Sequence, residues 1–423
     1  MFNLSTLLPL RTADPVEATS TTASDTDARH WGVDADGRPL LTDEQVEALG
    51  RDLDVIRERE FADLGEIDST YIRRIVAVQR SLEIGGRGLL FLGFLPPAWF
   101  AGVVALSLSK ILDNMEIGHN VMHGQYDWMN DPNLHSSKFE WDTAAPAENW
   151  KHGHNFLHHT YTNIIGKDRD IGYGILRMTE HEKWTPSALL NPLKGFLLAV
   201  LFQWGVALHD IEVEKILSGD KSIDEAQDVI VAIRHKARRQ AFKDYVLFPL
   251  LGLPIAPLVF AGNAAANLIR NVWAFTIIFC GHFPEGVALF TEEEVADETR
   301  GGWYLRQMLG SANLTGGKLF HIMSGNLSHQ IEHHLFPDMP ARRYQRIAGE
   351  VQEICERYGL PYNSGPLRTQ FGSVVAKICR LALPNGTVRK GRPDPRVSAT
   401  ARPAVTRSEA TPAATTREPV GAQ

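Results

Sequence analysis

The histidines of this chain are concentrated: four short segments hold nine of its sixteen. Three of these segments are boxes with the spacing His-x-x-x-His, and the second and third boxes end in a His-His doublet. The boxes are His119-Asn-Val-Met-His123, His154-Asn-Phe-Leu-His158-His159 and His329-Gln330-Ile-Glu-His333-His334. The fourth segment, Cys280-Gly-His-Phe-Pro, contributes His282.

This spacing favours metal binding. Residues four apart lie on one face of an α-helix, so both imidazoles of a box can reach one site. The second histidine of a doublet lies about 100° further round the helix and can serve a second metal. A cluster of ionisable side chains beside apolar segments indicates function by default. Eight or more histidines exceed the four ligands of a tetrahedral zinc ion, so the pattern predicts two metals with open positions.

Imidazole ligands suit zinc, copper, iron and nickel. Soluble di-iron proteins use glutamates and two Glu-x-x-His motifs, whereas this chain has one, from Glu116 to His119. An uncharged, all-histidine ligand set leaves the metals strongly electrophilic. Such metals suit the activation of O2 for attack on an unactivated C–H bond.

Apolar segments must position these boxes. The stretch Leu89 to Leu112 is long enough for one span, or for a tight hairpin that turns at Pro96-Pro97. Residues 245–262 and 264–283 predict a second hairpin, turning at Gly262-Asn263. Residues 187–208 are interrupted by polar side chains, which predicts a half-buried helix at the membrane interface.

The order of these segments predicts a topology. No apolar run separates the first two boxes, and box three follows three apolar segments. A shared metal centre therefore requires an even number of crossings. The loop 209–244 carries seven Lys and Arg residues, which places it and the boxes on the cytoplasmic side.

Composition limits the remaining possibilities. The formal charge of −7 argues against general nucleic-acid binding. The three cysteines lie far apart, which favours a reducing compartment over a disulfide framework. No basic segment precedes the first apolar stretch, so we expect no cleaved signal peptide. We predict disordered tails at 1–41 and 384–423, and a working domain at 42–383 that begins with a helix at 42–60 capped by Thr42.

The sequence around the boxes resembles that of membrane fatty acid desaturases, especially actinobacterial acyl-CoA desaturases. The similar segments are Glu116 to His123, His154-Asn-Phe-Leu-His-His-Thr-Tyr-Thr-Asn163 and Gly325-Asn-Leu-Ser-His-Gln-Ile-Glu-His-His-Leu-Phe-Pro337. The resemblance implies an all-α integral-membrane fold, with four transmembrane helices and a cytosolic helical cap that holds two irons. The implied ligands are His119, His123, His154, His158, His159, His282, His333 and His334.

One position departs from many relatives, which begin box three with histidine three residues before the doublet. Here Gln330 occupies that position and His329 lies one residue earlier, so both are ligand candidates of lower weight. We also find no His-Pro-Gly-Gly motif and expect no fused cytochrome b5 domain. With no G-x-G-x-x-G motif or cysteine cluster, electrons should come from NADPH through a separate ferredoxin or a flavin or iron–sulfur reductase.

The activity implied is an O2-dependent desaturation that introduces a cis double bond into a long-chain acyl-CoA or acyl-lipid, at a multi-pass protein of the plasma membrane. A hydroxylase or ketolase acting on an alkane, sterol or carotenoid is an alternative on the same scaffold. A histidine-rich metal transporter is an alternative of another class. It would need ligands along a path through the membrane, whereas the boxes lie outside the apolar runs.

Some further polar residues have two interpretations each. Asp113, Asn114 and Glu116 either support the ligand imidazoles or form a plain helix end. The turn Asp168-Arg169-Asp170 is predicted to be solvated, and the basic run 234–239 either meets phosphates or is a solvated helix face. Six further histidines lack paired spacing and are predicted to have no site role: His135, His152, His181, His209, His235 and His321.

Overall fold

The structure, a computed structural model, describes residues 41–386. Most of the two predicted tails therefore lies outside the described residues. Helix α1 (Asp43–Ala62) begins where the sequence predicts it. Thr42 accepts a hydrogen bond from the backbone of Gln45, whose side chain accepts one from the backbone of Thr42. This reciprocal capping satisfies two backbone donors that a helix start leaves unpaired.

A first helical hairpin follows, made of α2 (Glu66–Leu90) and α3 (Pro96–Leu112). Two prolines open α3, where a missing N–H and a fixed φ cost nothing. The helices touch closely at two glycines. A Cβ atom on Gly86 would lie 2.8 Å from the backbone nitrogen of Leu106, and one on Gly102 would lie 3.0 Å from that of Leu90. The proline break is thus the turn of a hairpin.

The first two boxes lie on helices with inserted π-helical turns. Helix α3 continues through a π-helical segment (Asp113–His119) into α4 (Asn120–Met122). Box two lies on α5 (Ala147–Trp150), a π-helical segment (Lys151–His158) and α6 (His159–Tyr161). The sequence predicted ordinary α-helices here. π-Helical turns occur frequently at functional sites.

The segment predicted to lie at the membrane interface is a bent pair of helices. A 3-10 turn (Pro186–Leu190) leads into α7 (Asn191–Val200), and α8 (Phe202–Ile211) leaves at 104° to it. Leu193, Phe196 and Leu197 of α7 are exposed, while Leu198 is buried. The pair is therefore amphipathic, as expected. Helix α9 (Val213–Ser218) follows.

The second hairpin turns at residues 252–255, before the predicted position. Its first arm is α10 (Gln227–Phe242), a π-helical segment (Lys243–Leu247) and α11 (Phe248–Leu251), and its second is α12 (Ala256–His282). The prediction of a turn at Gly262-Asn263 is wrong. Both residues lie within α12, and each contacts a neighbouring element. Gly262 packs on the side chain of Leu90. Asn263 donates a hydrogen bond to the carbonyl of Asp244.

The rest of the chain forms a cap over the end of the two hairpins that carries the histidine boxes. Its elements are α13 (Arg300–Leu309), β1 (Asn313–Thr315), α14 (Lys318–Met323), α15 (Gln330–Leu335), α16 (Tyr344–Arg357), β2 (Ser364–Pro366) and α17 (Leu367–Leu381). The parallel pair β1–β2, with Asn313 opposite Ser364, is the only sheet within the described residues. An apolar core joins α1, α13, α15 and α16. Helices thus dominate the fold, and only six of the described residues lie in paired strands.

By length and composition, α12 is the one described helix that could cross a membrane alone. The bent pair α7–α8 would be a second only if its two parts are taken as one span. The two hairpin turns lie together, since the indole of Trp99 donates to the carbonyl of Leu258 across 2.9 Å. Phe94 and Leu253 at these turns are 61% and 67% exposed, so an apolar surface covers this end of the molecule.

Candidate metal centre

The box histidines and His282 converge at the junction of the hairpins and the cap. Box one is carried by the extension of α3, box two by the helix at 147–161, box three by α15, and His282 ends α12. His282, His333 and His334 are almost fully buried, and so are His119, His158 and His159. Four separate elements therefore bring eight imidazoles into one interior site.

The ring nitrogens fall into two groups, in each of which the ligand atoms lie within 4.8 Å of one another. The first group is His119, His123, His154 and His333, and the second is His158, His282 and His334. His159 lies between the groups: its ring centroid is 4.6 Å from that of His123 and 4.5 Å from that of His334. The arrangement has the form of two neighbouring metal sites.

The hydrogen-bonding state of these nitrogens tests whether metals fit. Buried polar atoms in folded proteins nearly always have a partner. Here five histidines of the site have a buried Nε2 atom without a hydrogen-bond partner among the described residues: His123, His154, His158, His159 and His334. The Nε2 atom of His329, outside both groups, also lacks one. The Nε2 atoms of His119 and His333 face each other at 3.2 Å. So many convergent lone pairs suit metal ions, and a hydrogen-bonded core does not explain them.

The opposite ring nitrogens are held by protein groups. The Nδ1 atom of His158 lies 3.0 Å from Asp168, and that of His154 lies 3.2 Å from Asp170. On box three, the Nδ1 atom of His334 lies 2.9 Å from the side-chain oxygen of Gln307. An Nδ1–H that donates to an acceptor leaves the Nε2 lone pair free for a metal and raises its basicity. These contacts orient the imidazoles toward the centre.

The prediction that Asp168-Arg169-Asp170 is a solvated turn is wrong. Asp168 and Asp170 are 5% and 8% exposed. The backbone N–H of Asn163 donates to Asp168 across 2.7 Å, and Asn163 has the left-handed φ of 58° that turns the chain back toward box two. His209, to which the sequence assigned no site role, lies 3.1 Å from Asp170. The contacts of Asp168 with Asn163 and of Asp170 with His209 cannot be identified from the spacing of residues in the sequence.

Electrostatics keeps the imidazoles largely neutral. Burial lowers the pKa of His159, His333 and His334 well below the ordinary value, and neighbouring histidines add to this. His158 differs: burial opposes its charge, but the carboxylates of Asp168 and Asp170 outweigh burial and raise its pKa. Neutral imidazoles are the metal-binding form, so most of the site needs no deprotonation before it binds a metal.

The two further ligand candidates, Gln330 and His329, lie in different places. The side-chain amide nitrogen of Gln330 is 3.0 Å from Nε2 of His282, and its amide oxygen is buried without a hydrogen-bond partner among the described residues. The ring of His329 stacks on that of His321 at 4.6 Å, outside both histidine groups. Gln330 is therefore the residue of this pair that lies at the site.

The polar residues before box one support it indirectly. Glu116 accepts hydrogen bonds from the hydroxyl of Tyr71 and from the amide of Asn326, just before box three. Asp113 accepts one from the backbone of Asp142. They fix the box-one helix against its neighbours and make no described contact with the ligand rings. Trp150, in contrast, stacks on His154 with ring centroids 4.4 Å apart.

Comparison with known proteins decides the family. The family model described as fatty acid desaturase matches residues 95–366, which include all three boxes and His282. The chain belongs to the fatty acid desaturase family. It is therefore an oxidoreductase of lipid metabolism, and its family is associated with membranes. The prediction made from the histidine boxes is confirmed at this level.

Curated relatives place this desaturase more closely. It is 46% identical over 365 residues to the NADPH-dependent stearoyl-CoA 9-desaturase of Mycobacterium tuberculosis, covering 85% of this chain and 86% of the relative. It is 25% identical over 291 residues to the sn-1 linoleoyl-lipid 6-desaturase of Synechocystis, covering 66% and 79%. Human fatty acid desaturase 3 is 26% identical over 298 residues, covering 69% and 62%.

A cavity adjoins the histidines of this desaturase. It is narrow, with a volume of about 50 Å³, and is lined by His119 and His154 of the first group. Met115, Val206 and Ile278, on three different elements, supply apolar lining, and Asp170, His209 and Asp210 supply polar lining. An apolar surface beside the two histidine groups suits contact with an alkyl chain.

Proposed function

We propose that this desaturase introduces a cis double bond into a long-chain acyl-CoA. Two neighbouring methylenes each lose one hydrogen, and O2 takes up these two hydrogens together with two electrons and two protons, which gives one alkene and two waters. The observation that carries the proposal is the pair of convergent histidine groups beside an apolar cavity. The 46% identical relative is named a stearoyl-CoA 9-desaturase, which supports a CoA-linked substrate over an acyl-lipid.

We propose that iron occupies both groups. His119, His123, His154 and His333 would hold one ion, and His158, His282 and His334 the other. His159 is within reach of both groups, and Gln330 or His329 would complete the second set, with Gln330 favoured by its contact with His282. Bound iron would supply the reduction of O2 and the oxidising strength needed to remove hydrogen from a methylene.

The residues of the chain would then perform three tasks. The imidazoles hold the metals, while Asp168 and Asp170 keep two of those imidazoles oriented. Trp150, which lines the cavity and stacks on His154, fixes a ring and borders the acyl path at the same time. The apolar wall excludes water and holds one carbon pair beside the metals, which converts the reaction into an oriented, effectively intramolecular step.

Electrons would come from NADPH through a separate ferredoxin or a flavin or iron–sulfur reductase. The term NADPH-dependent in the name of the Mycobacterium relative supports this source. The described cysteines, Cys280, Cys355 and Cys379, are all unpaired, and two of them are buried. They form no cluster that could carry electrons within residues 41–386, so a partner protein fits the requirement best.

We further propose that the four helices of the two hairpins are the predicted transmembrane helices. The hairpin turns are apolar, and α7 would lie at the interface with its exposed Leu193, Phe196 and Leu197 toward lipid. Arg234, Arg238 and Arg239 are exposed on α10, at the opposite end from the turns. By the positive-inside rule this end, with the cap and the histidines, would be cytoplasmic at the plasma membrane.

The function can be tested by expression in a host without desaturases, followed by analysis of its fatty acids. We expect a new cis-monounsaturated fatty acid with the wild-type chain and none with His158→Ala. His181→Ala, at an exposed histidine outside both groups, is the matched control and should leave the product unchanged. An oxygenated product without an alkene would instead indicate a hydroxylase.

A further inference from the structure

A charged side chain lies deep inside the apolar helix α12. Arg270 is the one Lys, Arg, Asp or Glu in its sequence and is 2% exposed. Its guanidinium donates to the side-chain oxygen of Gln203 across 2.6 Å and to that of Asn271 across 3.0 Å. It also reaches the carbonyl of Asp142 at 3.3 Å. An ionisable residue in such a helix is costly and indicates a function.

Arg270 lies in the wall of the cavity that adjoins the histidines. The cavity is lined by His119 and His154 and also by Gln203, Arg270 and Asn271. Along α8 the lining runs from Gln203 through Val206 to His209, and His209 lies 3.1 Å from Asp170, the partner of His154. From Ile278 to Arg270, α12 advances eight residues, or about 12 Å at 1.5 Å per residue. Met115, four residues before His119, and Val206, three residues after Gln203, supply apolar wall between the histidines and Arg270. Gln203 and Arg270 are therefore a buried polar part of the cavity wall, on the side away from the histidine end of α12.

Arg270 is held in position by a network of buried polar contacts. Arg270 also contacts Asn267, and Asn267 donates to Asp244 across 3.0 Å. Asp244 is fully buried and accepts from Lys110 at 2.9 Å and from Arg87 at 3.1 Å. This network ties Arg270 to α2, α3 and the first arm of the second hairpin. Moving it would leave buried charges without partners, which costs more than an alkyl chain gains by entering.

We propose that the Gln203–Arg270 pair closes the acyl cavity and so limits how many carbons extend beyond the reacting pair. The proposal rests on the desaturase function proposed above. Gln203 is then a specificity-determining residue, because its side chain is the part of the wall that can be shortened while Arg270 keeps three other acceptors. A methyl group that meets the pair contacts hydrogen-bonded polar atoms and has no further apolar space.

The test uses the full chain in a desaturase-free host supplied with stearoyl and arachidoyl chains, the second being two carbons longer. The readout is the ratio of desaturated arachidoyl to desaturated stearoyl product. Gln203→Ala should raise this ratio about tenfold, since each methylene accommodated in an apolar pocket changes selection by roughly 10- to 200-fold. Gln203→Asn, which keeps the amide but is one methylene shorter, should raise it less.

Gln203→Glu is the matched control, because it keeps the length of the side chain and the bond to Arg270. Its ratio should equal that of the wild type. Iron content of each purified variant shows whether the site is intact, and a general loss of folding would lower both products together without changing the ratio. An unchanged ratio in both Gln203→Ala and Gln203→Asn, with stearoyl still desaturated, would overturn the proposal alone. Absence of any alkene from the wild type would overturn the desaturase function and this proposal with it.

Discussion

The Nδ1 atom of His158 lies 3.0 Å from a carboxylate oxygen of Asp168, a residue ten positions further along the chain. Both side chains are nearly fully buried. The carboxylate fixes the tautomer and direction of a histidine whose Nε2 atom points to the second group of ligands. Asp168 is therefore a positioning residue for the proposed metal centre.

Asp168→Asn should weaken iron binding and desaturase activity by about 10- to 100-fold, the usual effect of removing a partner of a metal ligand. The reason is that an amide cannot orient and polarise the imidazole as a carboxylate does. Iron per chain after dialysis against a chelator measures the effect. Asp127→Asn is the matched control, because Asp127 lies 3.7 Å from His135, outside both histidine groups. Equal iron retention in both variants would contradict the role of Asp168.

Gly281→Ala should disturb the second group of ligands. A Cβ atom at Gly281 would lie 2.8 Å from Cγ of Gln330, which is closer than such contacts allow. Since Gln330 is buried against His282, the added methyl should push the amide away from that ring. We expect a lower iron content and a changed optical or electron paramagnetic resonance spectrum.

The comparison for this variant is Gly349→Ala in α16, where an added Cβ meets nothing within 4 Å. That change should leave iron content unaltered and stabilise the helix by about 1 kcal/mol, the usual difference between glycine and alanine. If Gly281→Ala keeps the iron content and spectrum of the wild type, the position of the Gln330 side chain does not depend on the space beside Gly281.

A buried lysine outside the site predicts a pH dependence of stability. Burial lowers the pKa of Lys377 on α17 to about 8. Above the unfolded-state pKa of about 10.4 the amine is neutral in both states, and below about 8 the folded protein must carry a buried charge. Its contribution to the free energy of unfolding therefore becomes more favourable as pH rises from about 8 to about 10.4.

Lys377→Met should remove this slope and raise the free energy of unfolding at neutral pH by about 3 kcal/mol, from the size of the pKa change. Melting temperatures of the purified wild type and variant in detergent, recorded across this pH range, provide the measurement. Lys138→Met, at an exposed lysine, should change neither the slope nor the stability. Parallel curves for wild type and Lys377→Met would show that Lys377 keeps an ordinary pKa.

The proposed orientation in the membrane can be tested with a native thiol. Cys379 on α17 is exposed, whereas Cys280 and Cys355 are buried. If the cap is cytoplasmic, a membrane-impermeant maleimide should label the chain in broken cells and leave it unlabelled in intact spheroplasts. Cys379→Ser should abolish the labelling in broken cells. Labelling of Cys379 in intact spheroplasts would place the cap on the other side.

The residues that converge at the candidate site could be picked out from the sequence because metal chemistry requires specific side chains at fixed spacing. The three boxes and His282 were identified from spacing and from their position beside apolar segments, and the structure brings all eight principal candidates together. Helix α1 was also predicted, because Thr42 and the acidic residues after it are a local start signal. These features depend on residues close together in the chain.

Features that depend on tertiary contacts were not predictable. Asp168, Asp170 and His209 meet box two only because the chain reverses at Asn163 and because α8 packs against that loop. Gly262-Asn263 looks like a turn, yet the glycine gives room for Leu90 and the asparagine bonds Asp244. Neither outcome follows from local propensity, since the partner in each case lies on a distant element.

We propose that these histidines hold two irons in a fatty acyl desaturase, and metal analysis of the purified chain measures this. We predict about two irons per chain in the wild type, a clear loss in His334→Ala, and no loss in His181→Ala. Zinc in place of iron, or no metal bound in a folded chain, would show that the histidines do not form a di-iron centre.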